Sequence, residues 1–343
     1  MERARLREED IATRIGRREF ITAGGAAAAW PLAARAQTPA VVRRVGILSA
    51  FVPGASSSQR LTGIFSQALQ ELGWSDGRNL RIEQRWSGGD NERLRSDAHE
   101  LMNLPVDVIL AITTPAVTML KQEGTRIPIV FVGVSDPVGS GFVNSLPRPG
   151  GNITGFTNLE GSLSGKWLEL LKEVVPRLTH AGFMFNPESA PFAEYYLRAF
   201  ETAAATASVR AVAMPVHATG DVDKMVVELK ALPVGGLVVM PDNFNTVNRA
   251  RIIELAMRER LPVVYPSGIA ARQGGLIGYG IDDAVSVRGA VTYVDRILRG
   301  AKPADLPVQA PTTFELVINL KTARALGLDV PATLIARADE VIE

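Results

Sequence analysis

Thr113-Thr114-Pro115 sets two hydroxyls ahead of a proline suited to the first position of a helix, where free backbone N–H groups also gather. Such a group either caps a helix in the ordinary way or holds a carboxylate. Asp136, ahead of Pro137, and Asp242, at the end of an apolar run, are carboxylates that would offset a ligand ammonium, although Asp136 equally suits the start of a turn. Phe51, Tyr265 and Tyr279 offer flat apolar faces, for a ligand or for packing. Ser49, Ser135, Asn186 and Ser267 add hydroxyl and amide groups at comparable points along the chain. All eleven candidates lie at or just past the end of a short apolar run, where open parallel sheets meet their ligands. Substituting Asp136 or Asp242 by alanine is therefore expected to weaken binding with little change in stability.

Support for catalysis is poor. His99, His180 and His217 lack the spacing of a zinc pair, and no G-x-S-x-G elbow, Walker lysine loop or G-x-G-x-x-G after the first strand is present. The glycine-rich stretch Gly274 to Gly280 invites reading as a phosphate cradle, but a position within and at the end of a strand is better explained by a tight turn and close packing. No cofactor or metal is called for.

The elements that must position these residues alternate short β-rich runs with helical ones, the pattern of parallel sheets covered by helices. Strands are expected at Arg44 to Ser49, Val108 to Ile112, Ile129 to Val134, Ala181 to Phe185 and Gly236 to Met240, nearly all apolar as befits burial on both faces. Helices are expected at Pro115 to Glu123, Pro191 to Ala207, Val247 to Glu259 and Ala284 to Arg299, the last capped by Asp282 or Asp283. The tail from Pro307 to Leu320 reads as one extended segment followed by a short helix.

This pattern is stated twice, at an offset of about one domain length. Arg44-Val45-Gly46-Ile47-Leu48 matches His180-Ala181-Gly182-Phe183-Met184 in type, Asp107 to Ala111 matches Gly236 to Met240, and Arg126 to Phe131 matches Arg260 to Tyr265. The fold class that follows is α/β, with two doubly wound parallel-sheet lobes joined by hinge crossovers and a ligand cleft between them. One lobe takes 41–158 plus 284–310; the other takes 159–283 plus 311–343.

Ahead of the lobes, Arg17-Arg18-Glu19-Phe20 precedes a weakly apolar stretch from Ala23 to Leu32 and the small residues Ala34-Arg35-Ala36. Together they read as a twin-arginine signal peptide, 1–36, cleaved after Ala36. Met1 to Gly16 stand as a long charged n-region or an upstream start. The chain has 343 residues, no cysteine, 46% hydrophobic residues and a formal charge of +1. Without cysteine it carries neither disulfides nor a lipid at the cleavage point, so a periplasmic chain with no membrane anchor after cleavage is expected. A near-neutral charge gives no reason to expect nucleic acid as a partner.

Pro128 to Gly139 (PIVFVGVSDPVG), Pro149 to Gly155 (PGGNITG), Lys166 to Lys172 (KWLELLK) and Phe314 to Ala323 (FELVINLKTA) resemble the periplasmic substrate-binding proteins of ABC transporters, in the tryptophan/tyrosine-binding group. The resemblance runs nearly the length of the chain after the leader. It implies the type I periplasmic binding protein fold, a small-molecule ligand such as an amino acid, and an ABC permease and ATPase as partners. A sensory protein of the same fold is the alternative, with a periplasmic enzyme behind it. A repressor of the related two-lobed type is excluded, because no helix-turn-helix precedes the first lobe and the leader exports the chain.

Overall fold

A computed structural model describes residues 42–54, 56–158 and 161–343. The leader and its cleavage point lie outside the described residues. The first lobe opens with β1 (Arg43–Ser49), α1 (Ser56–Glu71), β2 (Leu80–Trp86), α2 (Asn91–Asn103), β3 (Val108–Ile112), α3 (Thr114–Gln122), β4 (Ile129–Val134) and β5 (Ile153–Thr157). These strands form a parallel sheet in the order β2-β1-β3-β4-β5. Each residue of β3 is buried, because apolar clusters cover both faces of the sheet. That double burial is why the strands read as unbroken apolar runs.

The second lobe follows with α4 (Leu163–Val174), β6 (His180–Phe185), α5 (Ala193–Thr206), β7 (Arg210–Pro215), α6 (Thr219–Lys230), β8 (Gly235–Val239), α7 (Asn243–Val247), α8 (Arg249–Arg258), β9 (Val263–Tyr265), α9 (Gly268–Arg272) and β10 (Ile277–Gly280). Its strands run β7-β6-β8-β9-β10, the same winding as the first sheet. The matched sequence runs fall on equivalent strands: β1 with β6, β3 with β8, β4 with β9.

The chain then returns. α10 (Asp283–Leu298) packs on α1 and the first sheet, and Gln309 pairs beside Phe156 of β5. The cap is Asp282, whose Oδ1 accepts from the Ala284 N–H at 3.0 Å. β11 (Glu315–Asn319) crosses back and pairs antiparallel with β10, α11 (Leu320–Leu326) and α12 (Ala332–Ile335) follow, and β12 (Glu340–Ile342) closes the seven-stranded sheet. The chain thus passes between the lobes three times. Among the described residues no helix is long and apolar enough to cross a membrane.

The helix expected at Val247 to Glu259 is α8, which starts two residues later; the short α7 ahead of it was not expected, and Asn248 separates the two, its side-chain amide donating to the Phe244 carbonyl at 2.9 Å. The tail read as one extended segment followed by a short helix is β11 and α11; α12 and β12 lie beyond it.

Candidate functional site

In both sheets the winding reverses beside the first strand of the lobe, and the loops at the carboxyl ends of the strands converge on one cavity between the lobes. Its volume is about 100 Å³. One buried water needs only about 10–15 Å³, so the space suits a small organic molecule rather than a single ion. The first lobe supplies Phe51 after β1, Thr113 between β3 and α3, Thr114 and Pro115 in the first turn of α3, and Ser135 after β4. The second supplies Ser189 and Phe192 ahead of α5, Asp242 and Asn243 at α7, Arg249 at α8, and Ser267 at α9.

Thr113 is the most unusual residue of the wall. Its backbone sits at φ 82°, ψ 157°, a region that side chains with a Cβ rarely enter and that costs about 1–3 kcal/mol. Its N–H donates to the Val132 carbonyl at 2.9 Å, which holds the turn against the sheet. The hydroxyl is buried without a partner and caps nothing. Thr114 Oγ1 accepts from the Ser135 N–H at 3.3 Å, tying together the two first-lobe loops. Pro115 in the first turn of α3 has no N–H, so the helix start offers the amides of its neighbours.

The opposite wall is built on Asp242. Oδ1 accepts from the Asn245 N–H at 2.7 Å, and Oδ2 accepts from the Asn186 N–H at 3.0 Å and from Asn245 Nδ2 at 2.9 Å. The carboxylate therefore caps α7 and pins the β6 loop as well as facing the cavity. Burial is the main influence on its acidity and pushes its pKa up to about 7, against the pull of the N–H groups of Asn245 and Asn186. Beside it, Asn243 Oδ1 is a second buried acceptor without a partner. Arg249 adds a cation on the same wall, with Nε donating to Gln273 Oε1 at 2.8 Å. Phe51 and Phe192 bring one aromatic ring from each lobe.

Six of the eleven sequence candidates line this cavity: Phe51, Thr113, Thr114, Ser135, Asp242 and Ser267. Five do not. Ser49 is fully buried, and its hydroxyl accepts from the Phe51 N–H at 3.2 Å, shaping the loop from behind. Asp136 accepts from the Gly139 N–H at 2.8 Å as a turn former, beside Lys121 and Phe142 in a neighbouring opening. Asn186 lines the polar mouth of the cleft, its amide donating to the Val216 carbonyl at 2.8 Å. Tyr265, the last residue of β9, turns into the core, where burial raises its pKa. Tyr279 stacks on Phe314 at 5.9 Å, and its carbonyl accepts from the Trp167 indole at 2.8 Å. The strand-end rule finds the loop but not the side of it a residue takes. Ser189, Phe192 and Arg249 were not among the candidates, whereas Asn243 shares the strand end that pointed to Asp242. Phe192 and Arg249 lay inside runs read as uninterrupted helix, and the Asn248 break was the signal for Arg249.

The strain at Thr113 is testable without a ligand. Thr113→Gly relieves the backbone at a smaller entropic cost of about 0.5–1 kcal/mol, so the variant is expected to unfold about 1 kcal/mol harder in urea. The same variant is expected to bind the ligand more weakly, through loss of the hydroxyl. A variant less stable than the parent would show that no strain is stored there.

The family model for ABC transporter substrate binding proteins matches residues 44–342. A tyrosine-binding protein of Clostridioides difficile is 26% identical over 264 residues, 77% of this chain and 75% of that protein. A crystal structure of a domain from Streptococcus pneumoniae in complex with L-Trp superposes with a TM-score of 0.80 at 24% identity, covering 88% of this chain and 99% of that one. A conserved domain protein from Vibrio cholerae gives 0.81 at 25% identity, with the same coverage. The ligand-free, open structure of a substrate-binding protein with adhesive properties from Clostridium difficile gives 0.65 at 24% identity, again over 88% and 99%.

Proposed function

Because this chain belongs to the ABC transporter substrate-binding proteins, we propose that its interlobe cavity captures an amino acid or similar small polar metabolite and delivers it to an importer. The observation that carries the ligand class is the pairing of unlike walls across the cavity. One wall presents the Thr113 and Thr114 hydroxyls at the start of α3 and the Ser135 hydroxyl after β4, and the other presents the buried Asp242 carboxylate. Hydroxyl donors and helix-start amides suit a carboxylate, and an acceptor of negative charge suits an ammonium. The Phe51 and Phe192 rings would take an apolar or aromatic side chain, in keeping with the L-Trp and tyrosine named for the relatives.

Binding would favour the closed arrangement because only there do both walls reach one ligand. The partners would be a permease and an ATPase of the ABC class, and the place of work the periplasm, reached through the twin-arginine leader with cleavage after Ala36. No bond-making step is assigned to the site.

The test is a thermal-shift screen of residues 37–343, unfolded and refolded to strip any bound ligand, against the proteinogenic amino acids and small carboxylates. A concentration-dependent rise in Tm with one or a few amino acids is expected, roughly 2.7 kcal/mol of added stability at a hundredfold excess over Kd. Silence across the amino acids, with a response to another class, would overturn the ligand assignment.

A further inference from the structure

Tyr196 of α5 is fully buried in the core of the second lobe, its ring stacked on Trp167 at 6.4 Å with 13° between the planes. Its hydroxyl reaches across the cleft and donates to Ser135 Oγ of the first lobe at 3.2 Å. Ser135 is itself almost fully buried and lines the cavity, and its N–H donates to Thr114 Oγ1 at 3.3 Å.

A serine or threonine hydroxyl has one proton and two lone pairs. Where Tyr196 fills a lone pair of Ser135, the serine's own proton is left to be given elsewhere. The same holds one step on, because Thr114 Oγ1 already accepts from Ser135. Two neighbouring hydroxyls of the cavity wall are thereby set as donors, beside the unpartnered hydroxyl of Thr113. Thr114 is set within its own lobe, but the residue that sets Ser135 belongs to the other, so the donor wall is complete only when the lobes are together.

We propose that Tyr196 is a positioning residue for the ligand's carboxylate: by donating to Ser135 across the cleft it fixes Ser135 as a donor and makes recognition of the anionic group conditional on closure. This deepens the amino-acid reading above and rests on it. Tyr196 does not touch the ligand. It acts through Ser135, and the ring's packing in its own lobe holds the hydroxyl in place.

The experiment compares the parent protein, Tyr196→Phe, Ser135→Ala and the double variant. Calorimetric titrations use L-tyrosine, L-tryptophan and their carboxamides as probes. Tyr196→Phe is expected to weaken binding of the acids by about 3- to 10-fold while leaving the carboxamides unchanged, so that preference for the acid shrinks. The double variant is expected to bind no more weakly than Ser135→Ala alone. Equal losses for acid and carboxamide, or additive losses in the double variant, would reduce Tyr196 to a packing residue and overturn the proposal.

A second readout needs no ligand. The chain has no cysteine, so spin labels at Gln67→Cys and Glu228→Cys report the distance between lobes without interference. Tyr196→Phe is expected to move the ligand-free distribution toward longer distances. If the parent protein binds none of the four probes, the amino-acid reading fails, and this distribution decides the role of Tyr196 by itself. No change in it overturns the proposal.

Discussion

Asp242→Ala is expected to abolish detectable amino-acid capture and, at pH 4, to lower folding stability by about 2–4 kcal/mol. The first effect follows if a ligand ammonium is left unpaired in a closed cleft, which costs roughly 2–5 kcal/mol. The second departs from the sequence-based expectation of an unaltered fold. Asp242 accepts from two backbone N–H groups and one side-chain amide, and all three would be left without an acceptor in a buried site. Chemical unfolding followed by circular dichroism reads the loss. An alanine variant that unfolds with the parent's midpoint at pH 4 and still binds would remove Asp242 from the site.

The same carboxyl gives the ligand-free protein a pH dependence of predictable sign. Burial raises its pKa from 3.8 to about 7, so ionisation is harder in the folded chain than in the unfolded one. Its contribution to stability is fully present below pH 4 and is lost as pH rises through 7. Asp242→Asn does not ionise, although its amide nitrogen cannot accept as the carboxyl does. Relative to its own value at pH 4 its stability should be flat to pH 8, whereas the parent's should fall by about 2–4 kcal/mol over the same range. Parallel profiles for the two proteins between pH 4 and 8 would show that the carboxyl is not held neutral by burial.

Gly278→Ala is expected to cost about 3 kcal/mol and to disturb the site from a residue that does not line it. A Cβ built on Gly278 would stand 2.2 Å from the Ser267 carbonyl oxygen and 2.7 Å from the Gly268 Cα. Neither atom is a flexible side-chain end. Gly278 is also pinned on both sides, paired with Tyr265 of β9 and Val317 of β11. Relief must come from the Ser267 turn, which lines the cavity and opens α9. Gly63→Ala is the control: nothing lies within 4 Å of its Cβ, so in the middle of α1 it should stabilise by about 0.5–1 kcal/mol. If the two substitutions have equal effects on urea midpoint and on ligand affinity, close packing at Gly278 is not what the glycine provides.

Gly278 also shows what could be read from the sequence. The stretch from Gly274 to Gly280 was assigned to tight packing rather than to phosphate binding, and the close approaches at Gly275 and Gly278 are of that kind. The strands were legible because burial on both faces writes itself as an unbroken apolar run, and the matched runs land on equivalent strands of the two sheets. The loops that line the cleft were legible for the same reason, since they begin where those runs end.

What the runs do not encode is the rotation of the chain as it leaves the strand. Tyr265 and Ser267 are two residues apart, yet one is core and the other lines the cavity. The left-handed turn at Thr113 was equally hidden, because a β-branched residue argues against a positive φ unless the surroundings impose it. Tyr196 carried no signal at all. An aromatic residue inside an amphipathic helix reads as core, and its ring is core; only its hydroxyl leaves the lobe.

The late return of α10 separates the order in which this chain is synthesised from the order in which its halves are completed. All five strands of the first sheet exist once residue 157 has been made, but the apolar cover formed by Val287, Ala290, Val291, Val294 and Ile297 is encoded more than a hundred residues downstream. A nascent or clipped chain ending anywhere between would show solvent a sheet face covered only in part, by α1, on one side and an unfinished partner on the other. Such a chain would not be half a receptor. It would be a substrate for chaperones and proteases, and only the last few dozen residues turn it into two finished bodies at nearly the same moment.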